Sequence, residues 1–245
     1  MNSYDSPTGT QKYLAYLSSP EGEIQKNILQ QAIMSHITPG TRHILDVGCA
    51  TGWLAHVLQK KQYEVTAIDS SPELLKVGQS QYPDLTLLLA NVEAPLPFPP
   101  QGFELVILNM VLMDLQNMTR AFQNISQVLS PLGSILCTIP NPYYAYPVGV
   151  WKRGIKKLLP RSLPRLKLIP KTYNQKKNTS HSWRNGLTST FYTLPEYIES
   201  AKKSGLYLAG LWDISSEKKS LKFNLHYQLE SFPILLLVEF KKLPQ

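Results

Sequence analysis

The chain has 245 residues, 43% hydrophobic and 10% aromatic, which suits one sizeable core and argues against a disordered chain. No apolar run approaches the roughly 20 residues needed to cross a bilayer, and Met1–Thr10 lacks the basic and apolar regions of a signal peptide. The net charge is +8, but eleven of the 25 Lys and Arg lie between Trp151 and Asn185, where there is no Asp or Glu; the remainder carries 14 basic against 17 acidic residues.

Strands and helices alternate along most of the chain, the pattern of a parallel sheet covered on both faces. Residues 4–37 are predicted to be helical, with Ile24, Ile28, Leu29, Ala32 and Ile33 on one face. His43–Val47 is a short apolar strand running into Gly48-Cys-Ala-Thr-Gly52, and Trp53–Lys61 then shows helical spacing at Leu54, Val57 and Leu58. Glu64–Ile68 is a second strand ending at Asp69. Ser71 caps the next helix, with Pro72 at its first position and an end near Gln81. Leu85–Leu89 and Phe103–Asn109 are the third and fourth strands. Met118–Leu129 is a helix with Ala121, Phe122, Ile125, Val128 and Leu129 on one face, and Pro131–Gly133 turns into the strand Ile135–Ile139.

There the alternation stops. Residues 140–190 are rich in Pro, Tyr, Lys and Arg and read as an insertion. Thr193 caps a helix reaching Ser204. Leu206–Ile214 and Phe232–Phe240 are strands with no helical pattern between them, an antiparallel hairpin ending an otherwise parallel sheet.

The strongest chemical signal is Ile44-Leu-Asp-Val-Gly-Cys-Ala-Thr-Gly-Trp-Leu-Ala55. A glycine turn between strand and helix lets a ligand approach the backbone and meet free N–H groups at the positive helix end. A dinucleotide site would place pyrophosphate on those amides. Asp46, two residues before Gly48, would repel a pyrophosphate and suits a ligand carrying ammonium and sulfonium charge.

This segment resembles the first motif of class I S-adenosyl-L-methionine (SAM)-dependent methyltransferases, D-x-G-x-G-x-G, with Ala50 in place of the middle glycine. The resemblance covers about residues 40–140 and is closest to the bacterial group of quinone-biosynthesis and natural-product enzymes. Three further stretches match in order. Asp69, followed by Ser70, ends the second strand, where the family's acidic residue binds both ribose hydroxyls. Asn91-Val92 falls at the adenine contact. Pro97-Phe98 and Gly102–Val106 match the family's P-F…x-F-D-x-V stretch, with Glu104 replacing Asp. Asn109-Met-Val-Leu-Met-Asp114 occupies the fourth-strand exit, where backbone carbonyls hold the methionine end of the cofactor. The resemblance thus implies a cofactor site of Asp46, Gly48, Cys49, Ala50, Gly52, Asp69, Ser70, Asn91, Val92, Asn109 and Met110.

The fold expected is α/β, Rossmann-like: a seven-stranded, mostly parallel sheet with an antiparallel last strand and helices on both faces. One methyltransferase domain spans 1–245, divided into an N-terminal helical lid (1–37), a SAM-binding core (38–140), a basic lid insertion (141–190) and a C-terminal helix and hairpin (191–245). Each site residue also has a plainer reading. Asp46 ties down a turn; Asp69, taken alone, is a strand-end carboxylate; Asn is common in any turn; Cys49 suits a small buried residue better than a nucleophile.

The expected activity is methyl transfer to a small-molecule acceptor by in-line displacement, with S-adenosyl-L-homocysteine (SAH) as product. His181 and Asp114 are weak candidates for a general base, a solvent-exposed loop position fits His181 better, and His226 has no assigned role. Tyr13 and Tyr16 (with Tyr4) in the N-terminal segment, Met113, and Tyr143, Tyr144 and Tyr146 after the fifth strand are candidates for the acceptor pocket; ordinary helix packing is the alternative. No metal is expected. Only Cys49 and Cys137 are present, too few for a disulfide framework or a four-ligand zinc site, and the expected compartment is the cytoplasm.

The basic segment 151–185 admits three readings beside a plain solvated face. It suits a lid whose cations hold an anionic substrate, or a short amphipathic element on an anionic membrane surface, with Val150, Trp151, Ile155, Leu158 and Leu159 on one face. RNA binding is disfavoured because no RNA-recognition motif accompanies it. A lipid or quinone-like acceptor, or a non-catalytic binding protein on the same fold, are the alternatives to a small-molecule enzyme.

Overall fold

The computed structural model describes residues 6–142, 180–182, 188–190, 192–214 and 235–243. Among the described residues, nine strands pair into two sheets. The larger is built from β1 (His43–Val47), β2 (Glu64–Asp69), β3 (Thr86–Leu89), β4 (Phe103–Asn109), β5 (Leu129–Pro140), β8 (Leu206–Ile214) and β9 (Leu235–Lys242), in the order β3-β2-β1-β4-β5-β9-β8. All neighbours are parallel except β9, which runs against both β5 and β8. The smaller sheet pairs β6 (Ser180–Ser182) with β7 (Thr188–Thr190), antiparallel.

Strands β1, β4 and β5 are buried almost throughout, as a parallel sheet covered on both faces requires. Their side chains alternate between two cores. Leu45, Val106, Leu108, Ile135 and Cys137 face α5 (Met118–Val128) and α6 (Leu194–Lys202), which contribute Phe122, Ile125, Tyr197 and Ala201. Ile44, Leu105, Ile107 and Leu136 face α2 (Pro20–Met34) and α3 (Trp53–Lys60), which contribute Leu29, Ile33, Leu54 and Leu58. By the same alternation Asp46, flanked by Leu45 and Val47, is turned toward the α3 side.

Several elements stand where the sequence put them: β1, β4, β8 and α4 (Pro72–Gln81), the last with Ser71 Oγ accepting the Leu74 N–H. Thr193 and Glu196 form a capping box at the start of α6. The single helical stretch expected over 4–37 is instead two helices. α1 (Pro7–Leu17) ends at Ser18, and Ser19 restarts the chain by accepting the Gly22 N–H at 3.1 Å, with Pro20 at the first position of α2. Leu129, expected as the last residue of a helix, is the first residue of β5. The Pro131–Gly133 turn is absorbed there as a register shift against β4, between the Phe103 and Leu105 pairings. The last strand runs Leu235–Lys242 rather than Phe232–Phe240, with residues 232–234 outside the described residues.

Candidate active site

The carboxyl ends of β1, β2 and β4 lie side by side, and three loops leave them together. Gly48 N–H and Cys49 N–H both donate to the Ile68 carbonyl, at 2.8 and 3.0 Å, and so bind the turn after β1 to β2. Gly48, Ala50 and Gly52 all have positive φ, at 68°, 52° and 78°. Gly48 is confined as well as twisted: a Cβ there would stand 2.5 Å from Cγ2 of Val111. Ala50 holds a left-handed conformation without glycine's freedom, which costs about 1 kcal/mol.

Two carboxylates close on this turn. Asp69 is held through both oxygens: Oδ2 accepts the Ala50 N–H and Oδ1 the Ser71 N–H, each at 2.8 Å. A carboxylate offers about four acceptor sites, so these two bonds orient the group without exhausting it. Asp46 is 1% exposed, and its Oδ2 meets no hydrogen-bond partner among the described residues. Burial, and then the Asp69 charge, push its carboxyl up to about 8 against the opposing pull of the Ala55 N–H. A buried carboxylate oxygen without a donor is costly, and a cationic ligand group would supply the missing partner. The pair therefore fits a ligand with vicinal hydroxyls at one end and an ammonium at the other, and fits a pyrophosphate poorly.

Asn91 and Val92, expected from the sequence at the adenine contact, sit on the loop after β3. Asn91 is exposed, and its Oδ1 accepts the Glu93 N–H at 2.9 Å. It lines a cavity of about 400 Å³ with Glu93, Gln116, Asn117 and Arg120. Val92 is buried in the core, and Ser70 is exposed beside Asp69. Asn124, which sequence reasoning missed, donates from Nδ2 to the carbonyls of Val92 and Ala94, both at 2.8 Å, and pins this loop to α5. Its signal was a lone amide on the apolar face of that helix. Thr138 was missed in the same way. This fully buried hydroxyl in an apolar strand donates to Asn109 Oδ1 at 2.7 Å and accepts the Met110 N–H at 2.9 Å. It thereby secures Met110, whose φ is 60°.

The remaining candidates are scattered. Cys49 is buried, and burial with the nearby Asp46 and Asp69 charges pushes its thiol up, away from nucleophilic character. Met113 is buried, and Asp114 ends a one-turn 3-10 helix (Leu112–Asp114) and accepts the Ser189 hydroxyl at 2.6 Å. Tyr13 and Tyr16 are half-buried on α1, where Tyr16 donates to Gln25 Oε1 of α2. His181 lies opposite Ser189 in the β6–β7 register. Tyr4, Tyr143, Tyr144, Tyr146, His226 and nearly all of the basic segment are outside the described residues. Glu104, the departure from the family's Asp, stands at the opposite end of the sheet. Partial burial raises its carboxyl, but the His43 N–H, the His43 ring and the Arg42 N–H hold it below the usual range.

The comparisons agree with this arrangement. Residues 45–137 match the methyltransferase domain family. That stretch runs from β1 to β5 and contains both carboxylates, the glycine turn and the fourth-strand exit. This segment of the chain is thus similar to a methyltransferase domain. A demethylmenaquinone methyltransferase of Tropheryma whipplei is 25% identical over 154 residues, 61% of this chain and 63% of the relative. A malonyl-[acyl-carrier protein] O-methyltransferase of Halorhodospira halophila is 27% identical over 135 residues, 53% of this chain and 45% of the relative. The matched region thus spans less than two thirds of either relative. The solved structure of an S-adenosylmethionine-dependent methyltransferase from Mesorhizobium loti shares the fold with a TM-score of 0.64. It is 18% identical, over 92% of this chain and 99% of that one. No described helix of the methyltransferase domain is long and apolar enough to cross a membrane.

Proposed function

We propose that the protein transfers a methyl group from SAM to a small-molecule acceptor by direct in-line displacement. The observation that carries this reading is the carboxylate pair, Asp69 held by two backbone amides and Asp46 buried with an unpartnered oxygen. Asp69 would receive the ribose hydroxyls and Asp46 the ammonium end. The turn from Gly48 through Cys49 and Ala50 to Gly52 would give the backbone its close approach. Ser70, Asn91 and Val92 would serve the adenosine, and Asn109 and Met110 the methionine carbons. The bound cofactor supplies an electrophilic methyl on sulfur that needs no activation by the protein.

The chain's own work is to hold, to align and to exclude water. Alignment of two bound reactants is worth roughly 7–11 kcal/mol. An acceptor hydroxyl or protonated amine also needs a base, worth about 10²–10⁴-fold. Asp114 at the turn after β4, and His181 opposite Ser189, are the candidates. Tyr13, Tyr16, Met113, Tyr143, Tyr144 and Tyr146 are the acceptor-pocket candidates.

One observation favours an anionic or membrane-borne acceptor. The segment Trp151–Asn185 carries eleven cationic side chains and no acidic one, and the two relatives are named for demethylmenaquinone and for malonyl-[acyl-carrier protein]. Calorimetric titration with SAH tests the cofactor reading. Micromolar binding by the parent is expected, with Asp69→Ala at least about tenfold weaker, the loss of a hydrogen bond to a charged group. A folded parent that binds no SAH refutes it. Sedimentation with anionic vesicles, relieved by salt, separates a membrane-borne acceptor from a soluble one.

A further inference from the structure

The chain leaves the larger sheet at Pro140 and rejoins it at Leu206, and on the way back two hydroxyls fasten it to the turn after β4. Ser189, on β7 and 5% exposed, donates to Asp114 Oδ1 at 2.6 Å. Tyr192 donates to the Leu115 carbonyl at 2.9 Å. The Tyr192 ring meets Tyr197 of α6 edge-on, with centroids 5.7 Å apart, and Tyr197 is itself embedded in the core. This anchorage is therefore rigid on its far side.

The fastened turn reaches the cofactor loop directly. Asp114 N–H donates to the Val111 carbonyl at 2.8 Å, and the Val111 side chain occupies the space where a Gly48 Cβ would stand. A single turn of 3-10 helix has poor internal hydrogen bonds. Met110, immediately before Val111, has a φ of 60°. A residue in that region persists only where its surroundings over-determine it. Thr138 holds Met110 from one side, and Ser189 and Tyr192 hold Asp114 and Leu115 from the other.

We propose that Ser189 and Tyr192 are positioning residues for the cofactor turn. They clamp Asp114 and Leu115 so that Val111 stays seated on Gly48. Neither needs to touch the cofactor, and the segment that returns from the acceptor side is tied through them to the loop after β1. The inference rests on the cofactor reading of that loop.

The test is SAH titration of the full chain in four forms: parent, Ser189→Ala/Tyr192→Phe, Val111→Ala, and the triple variant. The clamp variant is expected to bind about tenfold more weakly, the worth of two part-buried hydrogen bonds. In the Val111→Ala background the same clamp substitutions are expected to cost less than about twofold, because the path is already cut. A merely structural role would lower the urea midpoint equally in both backgrounds without this coupling. The near-isosteric Tyr192→Phe alone, checked by circular dichroism, covers the case in which the double variant fails to fold. Parent-like affinity in the folded clamp variants, or an undiminished loss in the Val111→Ala background, overturns the inference alone. A parent that binds no SAH overturns the cofactor reading and this inference with it.

Discussion

Asp46→Asn separates charge from shape at the most buried carboxylate of the site. The side chain is 1% exposed, and one of its oxygens has no donor among the described residues. Burial and the Asp69 charge move the carboxyl from 3.8 to about 8. About four decades of proton affinity correspond to on the order of 5 kcal/mol. The folded protein binds this proton more tightly than the unfolded chain does. Its contribution to stability is therefore full below about pH 4 and is lost as pH rises through about 8, with a steepest slope of about 1.4 kcal/mol per pH unit. The amide preserves the volume and cannot ionise. Urea unfolding of both proteins at about pH 5, 7 and 9, without SAH, is expected to show the parent losing several kcal/mol across the range while the variant loses nothing from this source. At about pH 9 the variant is then the more stable protein. With saturating SAH the ammonium supplies the missing partner, and the parent recovers more stability at high pH than the variant does. Parallel pH profiles for parent and variant would refute the reasoning, because Asp46 would then ionise with ordinary affinity and its second oxygen would have a partner.

Other substitutions probe the same geometry. Ala50→Gly removes the penalty of a φ of 52° but frees the unfolded chain, so a net gain of about 0.5 kcal/mol in urea unfolding is expected, with SAH affinity unchanged or improved. Equal or lower stability would show that the turn is not strained there. Asn124→Ala leaves the carbonyls of Val92 and Ala94 without their shared donor and is expected to destabilise by about 2 kcal/mol, with SAH affinity falling as the loop loosens. Unchanged amide exchange at Val92–Ala94 would count against it.

What was legible in the sequence was local. Ser71-Pro72-Glu73 announces a helix start because cap, fixed φ and first-turn acid are adjacent in the chain, and the helix begins there. The same grammar stands at Ser6-Pro7 and Ser19-Pro20-Glu21. Across Ser19 the helical spacing of apolar residues resumes and masks the break. The placement of Asp46, Asp69 and the glycine turn at neighbouring strand ends was readable because they lie within one strand-turn-helix-strand unit. Asn124, Thr138 and Ser189 were not. Their partners lie 32, 29 and 75 residues away in the chain, and only the folded sheet brings them together. Glu104 read as a departure within a cofactor-related stretch, and proved to be a clasp on Arg42 and His43 at the far end of β4.

The reversed direction of β9 decides where the longest connections leave the larger sheet. A chain climbing β8 in parallel with β1, β4 and β5 ends at Ile214 on the same rim as the glycine turn, and β9 starts down from that rim at Leu235. The connection that begins at Pro140 also departs from it. The two longest excursions from the larger sheet are thus rooted on the rim that carries the glycine turn, while its opposite rim is joined by short links such as Lys61–Tyr63 and Lys203–Gly205. Changes of length within residues 143–179 or 215–234 fall outside every strand pairing described above. Both connections can therefore reshape what surrounds the glycine-turn rim while the order of the seven strands stays as it is.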